Sequence, residues 1–126
     1  KTGRQGMHLS AAEHLDAMQS RQALGIHMNR FHERFDLLLT PALPLTAFDV
    51  GRDAPPGLTR WMNWTPFTFP FNLTQQPACT IPCGLTTDGL PIGLQIVGPM
   101  FGDALVLRAA RAFESTQPRR RPSGLD

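Results

Sequence analysis

Asn72 to Gly98 reads NLTQQPACTIPCGLTTDGLPIGLQIVG. Two short apolar runs, Cys79–Leu85 and Ile92–Val97, are joined by Thr86-Thr87-Asp88-Gly89-Leu90-Pro91. The Asp-Gly step in that joint is the strongest turn signal in the chain, so the pair predicts a β-hairpin or a close β-β connection. Apolar side chains crowd the runs (Ile81 and Leu85, then Ile92, Leu94, Ile96 and Val97) and fall on both parities. The strands are therefore expected to be covered on both faces. Pro77, Pro82, Pro91 and Pro99 lack the amide hydrogen that a central ladder needs, which puts them at strand ends or bulges.

On the N-terminal side of the hairpin, Trp61 to Phe71 reads WMNWTPFTFPF, the densest aromatic stretch. Thr65 before Pro66 reads as an N-cap with proline at the first helical position, opening a short helix kinked near Pro70 and finished before Pro77. Core packing is the ordinary reading of Phe67, Phe69 and Phe71, whereas Trp61 and Trp64 end a loop and are placed to line a pocket. That loop, Pro41 to Thr59, is rich in proline and glycine, with Phe48 and Val50 as its expected anchors. Asp36–Thr40 reads as an interior strand. Before it, Ser10 and Glu13 form a capping box for a helix running to about Glu33 or Arg34.

Leu24, Met28, Phe31 and Phe35 make the buried stripe of that helix. Arg21, in line with the stripe, reads as a snorkelling or ion-paired structural arginine, with a substrate contact as the alternative. Gly25 in mid-helix suggests close approach of a neighbouring element. After the hairpin, Asp103 starts a last helix to about Ser115, packed through Leu105, Ala109, Ala112 and Phe113 and widened by Val106 and Ala110. The order helix, strand, loop, helix, β-hairpin, helix is α/β, with no internal repeat. Residues 1–9 read as an irregular lead-in.

A chain of 126 residues has the size of one domain. It begins Lys-Thr-Gly-Arg without an initiator Met or an apolar signal segment, so it is expected to be a piece of a longer polypeptide. No run approaches the roughly 18 apolar residues of a membrane span, which points to a soluble, cytoplasmic protein with no membrane partner. Twelve basic and ten acidic residues, with a net charge of +2, give little pull toward polyanions. Arg119-Arg120-Arg121 lie in a basic tail, residues 116–126, which reads as disordered and solvated, an RNA or membrane-surface contact being the alternative.

Cys79 and Cys83, four apart in an extended run, would have Cα atoms about 13 Å apart, beyond disulfide reach. Two buried reduced thiols suit a reducing compartment. His8, His14, His27 and His32 contain no i, i+4 pair, so neither a metal site nor a cofactor is expected.

The order Asn-Leu-Thr-x-x-Pro-Ala from Asn72, Pro-Cys-Gly from Pro82 and Asp-Gly-Leu-Pro-Ile-Gly-Leu-Gln-Ile-Val-Gly from Asp88 resembles the C-terminal signature of the amidase signature family. Phe35-Asp36-Leu37-Leu38-Leu39-Thr40-Pro41 and Trp64-Thr65-Pro66-Phe67-Thr68 extend the resemblance, which covers about Ser10 to Glu114. The family hydrolyses carboxamides and includes the A subunit of tRNA-dependent amidotransferase. The resemblance implies a C-terminal part of the amidase signature fold, a mixed sheet covered by helices, in a chain whose whole relatives are several times longer.

It also implies a serine nucleophile activated by a second serine and a lysine, in an upstream Gly/Ser-rich segment. No such segment occurs here, the only lysine is Lys1, and Ser10, Ser20, Ser115 and Ser123 are isolated. A relay needs its groups within hydrogen-bonding reach, so no catalytic residue is assigned to this chain. A Cys-His pair is the only alternative by composition, and nothing local in sequence would depress either thiol.

What the resemblance leaves is a substrate-side role. The region before the hairpin forms part of the amide-pocket wall in family members, which makes Trp61, Trp64, Thr65, Phe67 and Gln76 the candidate substrate-binding residues. In tRNA-dependent amidotransferases an acidic residue for the glutamine amino group falls near Thr65. Thr65 is uncharged, which disfavours an amino-acid substrate, and an aromatic or alkyl amide suits two tryptophans better. Many members have Gly where Gln75 stands, which bears on the local turn. Gln75 and Gln76 are amide hydrogen-bonding candidates, although surface glutamines are the commoner case.

The leading expectation is an amidase segment, inactive alone, whose partners are the N-terminal catalytic part of the same protein, a small-molecule amide and a second copy of itself. The rivals are a stand-alone binding or scaffold domain derived from an amidase, and an RNA-associated module using Arg119–Arg121. Apolar faces meant for an absent half would make the isolated chain self-associate.

Overall fold

The computed structural model describes residues 6–58, 60–116 and 122, without the side chain of Trp61. Residues 1–5 of the lead-in, Thr59 of the loop and Arg119–Arg121 of the tail lie outside the described residues.

Helix α1 spans Ala11–His32. Its capping box forms as expected: Ser10 Oγ accepts from the Glu13 N–H at 3.2 Å, and Glu13 Oε2 accepts from the Ser10 N–H at 2.8 Å. These bonds satisfy orphan donors of the first turn, and the Ser10 N–H, with the Ser10 hydroxyl donating to the same carboxylate oxygen at 2.7 Å, holds the Glu13 carboxyl below its usual range. Strand β1 is Leu38–Pro41. A loop without regular structure among its described residues leads to a single 3-10 turn, Trp61–Trp64, then to helix α2, Phe69–Thr74. Strands β2, Ala78–Leu85, and β3, Pro91–Val97, form the hairpin, and helix α3, Asp103–Thr116, ends the described fold.

β3 is the middle strand, between β1 and β2, with Thr40 and Thr80 both in register with Gln95. Both pairings are antiparallel, so no parallel pair of the expected mixed sheet lies among the described residues. The turn is closed by Thr86 N–H to Leu90 O at 2.8 Å and Gly89 N–H to Thr86 O at 3.0 Å, with Gly89 at φ 79°. All four prolines stand where the missing donor predicts. Pro77 precedes β2, Pro82 sits at the register break between 82 and 84, Pro91 opens β3 and Pro99 follows it.

Two apolar clusters cover the two faces of the sheet. On one, Val106 and Ala110 of α3 pack on Ile81 and Ile96. On the other, Met28 of α1 and Phe71 of α2 pack on Val97. Ile96 and Val97 are the largest fully buried side chains, each contributing about 1.5–3 kcal/mol by leaving water. Gly98 brings α3 close, because a Cβ there would lie 2.6 Å from Val106 Cγ2. Coverage of both faces holds for the end of β3 but not for β2, where Ala78, Thr80 and Pro82 are exposed.

Four further expectations are corrected. Within the stripe Met28 is buried and Phe31 half-buried, but Phe35 lies beyond the end of α1 and is 49% exposed, stacking on Phe31 at 4.8 Å. A Cβ built on Gly25 would meet no described atom of another element within 4 Å, so no close approach requires glycine there. Val50 is fully exposed, leaving Phe48 as the loop's anchor. In α3, Val106 and Ala110 form the buried centre, and Ala112 is exposed.

Candidate functional site

Alternate residues of β3 on one face do three different jobs. Val97 lies in the apolar cluster, Gln95 is a buried amide, and Gly93 forms part of the floor of a groove of about 810 Å³. Thr80 and Pro82 of β2 extend that floor, the 42–48 loop makes one wall, and Trp64 closes an end. A Cβ at Gly93 would meet Ala42 Cβ at 2.9 Å and Thr80 Cγ2 at 3.0 Å, so glycine lets the loop sit against the strands there. Ala42 is held by its N–H to Gly93 O at 2.9 Å. Trp64 is fixed on two sides, by its Nε1–H to Asp53 O at 3.2 Å and by edge-on packing against Phe48 at 5.2 Å. The lining is mainly apolar, which suits an aryl or alkyl group rather than a charged one.

Of the five predicted residues, Trp64 lines this groove. Thr65 and Phe67 follow on the same segment and are half-buried. Thr65 does not cap a helix at its N-terminus. It ends the 3-10 turn, its Oγ1 donating to Met62 O at 3.5 Å, and α2 starts four residues later with Pro70 in its first turn, where a missing N–H costs nothing. Trp61 contributes its backbone to the 3-10 turn.

Gln76 stands apart from the groove, beyond α2. It is buried, not a surface glutamine, and its Oε1 lies 2.9 Å from Thr74 Oγ1. Thr74 has one hydroxyl proton and lies equally close to Pro70 O, also 2.9 Å, so only one of the two receives it. Gln76 Nε2 is buried with no acceptor among the described residues. Gln75 is the exposed one, at φ 61° and ψ 30°, a left-handed helix C-cap of the kind glycine favours.

Sequence reasoning passed over Gln95. Its Nε2 donates to Thr40 Oγ1 at 3.0 Å and to Phe67 O at 2.8 Å, fastening the aromatic segment to the sheet. The signal that could have found it was a lone amide in an otherwise apolar strand, since a buried amide must find partners. Arg21 is structural, as expected, but through a backbone carbonyl: its Nε donates to Leu73 O at 2.7 Å.

Cys79 is not an activated nucleophile. Burial pushes the Cys79 thiol up, and the Glu114 carboxylate adds to the shift, the opposite of what a reactive thiolate needs. Cys83 donates to Ile92 O at 3.5 Å, and both cysteines are free. The His32 ring bonds through Nδ1 to Phe35 O; a carbonyl only accepts, so Nδ1 carries a proton and is not free to act as a base, and Nε2 is buried with no partner among the described residues. Ser10 is committed to its cap, and Ser115 Oγ donates to Ala112 O at 2.7 Å. Among the described residues no three metal-ligating side chains cluster, and no helix is long and apolar enough to cross a membrane.

A family model described as Amidase matches residues 2–107. The A subunit of the glutamyl-tRNA(Gln) amidotransferase from Syntrophomonas wolfei is 40% identical over 103 residues, which are 82% of this chain and 21% of that protein. Among solved structures, 6-aminohexanoate cyclic dimer hydrolase aligns with a TM-score of 0.83 at 26% identity, over 98% of this chain and 28% of its own. A bacterial aryl acylamidase of the amidase signature enzymes aligns with a TM-score of 0.74 at 30% identity, over 89% and 24%. The chain thus spans about a fifth of the length of the curated relatives it matches.

Proposed function

The chain belongs to the amidase family, and on that premise we propose that it is the C-terminal segment of an amidase signature hydrolase, which converts a carboxamide to a carboxylate plus ammonia or an amine. The family match over residues 2–107 carries this reading. In the whole enzyme a serine of the N-terminal part attacks the amide carbon, the C–N bond breaks as the nitrogen takes a proton, and water releases the acid from the acyl-serine. No cofactor takes part. This chain's only lysine is Lys1 and its serines are scattered, so alone it is inactive.

Its contribution is core and substrate-pocket wall. Trp64 lines the groove, and Trp61, Thr65, Phe67 and Gln76 are the other substrate-side residues of this reading. The apolar groove at Trp64 supports an aryl or alkyl amide as substrate. Its partner is the N-terminal part of the same cytoplasmic protein, and the exposed Leu15, Met18 and Ile26 of α1 are surface for that part to cover.

The test is ammonia release from a small aromatic amide by the full-length protein and by this chain alone. Activity in the first and none in the second is expected. Turnover by the isolated chain overturns the reading.

A further inference from the structure

Gln95 is 6% exposed and stands on the middle strand between Thr40 and Thr80, the neighbours in register on either side. Its amide nitrogen has two hydrogens, and each has an acceptor: Thr40 Oγ1 on β1 and the carbonyl oxygen of Phe67 in the turn between the 3-10 helix and α2. The Phe67 carbonyl can only accept, so the amide's orientation is fixed: nitrogen toward the turn. Gly93, two residues along the same face, is groove floor, and Trp64, three residues before Phe67, is groove end. Gln95 thus joins the floor strand of the groove to the segment that carries its aromatic end.

We propose that Gln95 is a positioning residue for substrate selection: by holding Phe67 O to the sheet it sets where the segment carrying Trp64, the aromatic end of the groove, stands over the floor, and with it the fit of an amide's aryl or alkyl group. The assignment rests on the amidase reading above. Thr40 is the secondary partner, because its hydroxyl can rotate to another acceptor, whereas the Phe67 carbonyl is fixed in a turn closed by Thr68 N–H to Thr65 O at 3.1 Å. With that latch released, the segment moves while the reacting groups, which belong to another part of the protein, stay in place.

The experiment compares full-length wild type, Gln95→Met, which keeps the volume and removes both donors, and Thr40→Val, which removes only one acceptor. Two readouts are taken: kcat/KM for benzamide and for acetamide, and hydrogen exchange of the 61–69 peptide. In Gln95→Met the benzamide value is expected to fall about tenfold through KM, with acetamide within about twofold, and exchange at 61–69 to rise about tenfold. Thr40→Val is expected to leave both readouts near wild type. An equal fall for both amides would make Gln95 merely structural and overturn the proposal, as would unchanged exchange in Gln95→Met. If wild type hydrolyses neither amide, the amidase reading has failed in its substrate class. The exchange readout still judges the latch: a rise confined to Gln95→Met upholds it, and no rise removes it.

Discussion

The Nε of Arg21 donates to the carbonyl oxygen of Leu73 at 2.7 Å, tying the middle of α1 to the last turn of α2 across 52 residues of sequence. Leu73 is in the last turn of its helix, where carbonyls lack an intrahelical donor, so a charged donor there both fills the vacancy and matches the negative end of the dipole. Arg21→Met, which keeps the aliphatic stem, is expected to cost about 1 kcal/mol. Arg21→Lys should recover only part of that, because a terminal ammonium does not reproduce an Nε–H in mid-stem. Urea midpoints of the three proteins check this, and an Arg21→Met midpoint equal to wild type would remove the interaction from the stability account.

Gln75 holds φ 61° at the end of α2. An L side chain in that region costs about 1 kcal/mol relative to glycine, and the side chain is exposed. Gln75→Gly is therefore expected to raise thermal stability by up to about 1 kcal/mol, reduced by the greater entropy of glycine in the unfolded chain. A fall in melting temperature would mean that Gln75 makes a compensating contact.

Gly98 faces Val106, whose Cγ2 would be 2.6 Å from an added Cβ. Val106 is 2% exposed and β-branched, so it has little freedom to turn away. Gly98→Ala is expected to destabilise by about 1–3 kcal/mol. Combined with Val106→Ala it should cost less than the sum of the two single changes, since the second removes the colliding methyl. Strict additivity in that double-mutant cycle would refute the contact.

The Cys79 thiol is pushed up by burial first and by the Glu114 carboxylate second. A raised folded-state value means that this site adds stability below the ordinary thiol pKa, and the contribution is lost as pH rises toward the folded value, because the unfolded chain ionises first. Alkylation of Cys79 at about pH 8.5 should lag behind a free model thiol. Glu114→Gln is expected to speed it modestly, by about twofold or less, because the carboxylate is exposed and screened. Mass spectrometry of the alkylated peptides measures both rates, and Cys79 reacting as fast as the model thiol would contradict the shift.

What was legible in the sequence was whatever local chemistry decides. The Ser10–Glu13 box, the Asp88-Gly89 turn and the four proline positions each follow from a few consecutive residues, and each stands where expected. The misplaced features depend on partners distant in sequence. Thr65 has an N-cap's composition, but the first turn of α2 forms where the Phe71 cluster packs, moving the helix start to Phe69. Gln95 reads as one polar residue in an apolar strand until Thr40 and Phe67, 55 and 28 residues away, supply its acceptors. Among the site candidates, Trp64 was legible as a pocket aromatic at the end of a loop. The burial of Gln76 was not, because nothing adjacent in sequence says which of two glutamines turns inward.

Pro82 has a consequence for how this sheet meets other sheets. The Gly98 N–H bonds to Pro77 O, so by strand alternation Cys79 and Ile81 turn their backbone groups toward β3, while Ala78, Thr80 and Pro82 turn theirs to the open edge. That edge therefore presents amide donors at Ala78 and Thr80 and then none at Pro82, where the register also breaks. A foreign strand can lengthen its pairing along β2 for about four residues before the ladder stops, too few for a stable addition. A proline at that position acts as a gatekeeper, guarding β2 against strand-by-strand polymerisation whenever the edge lies uncovered.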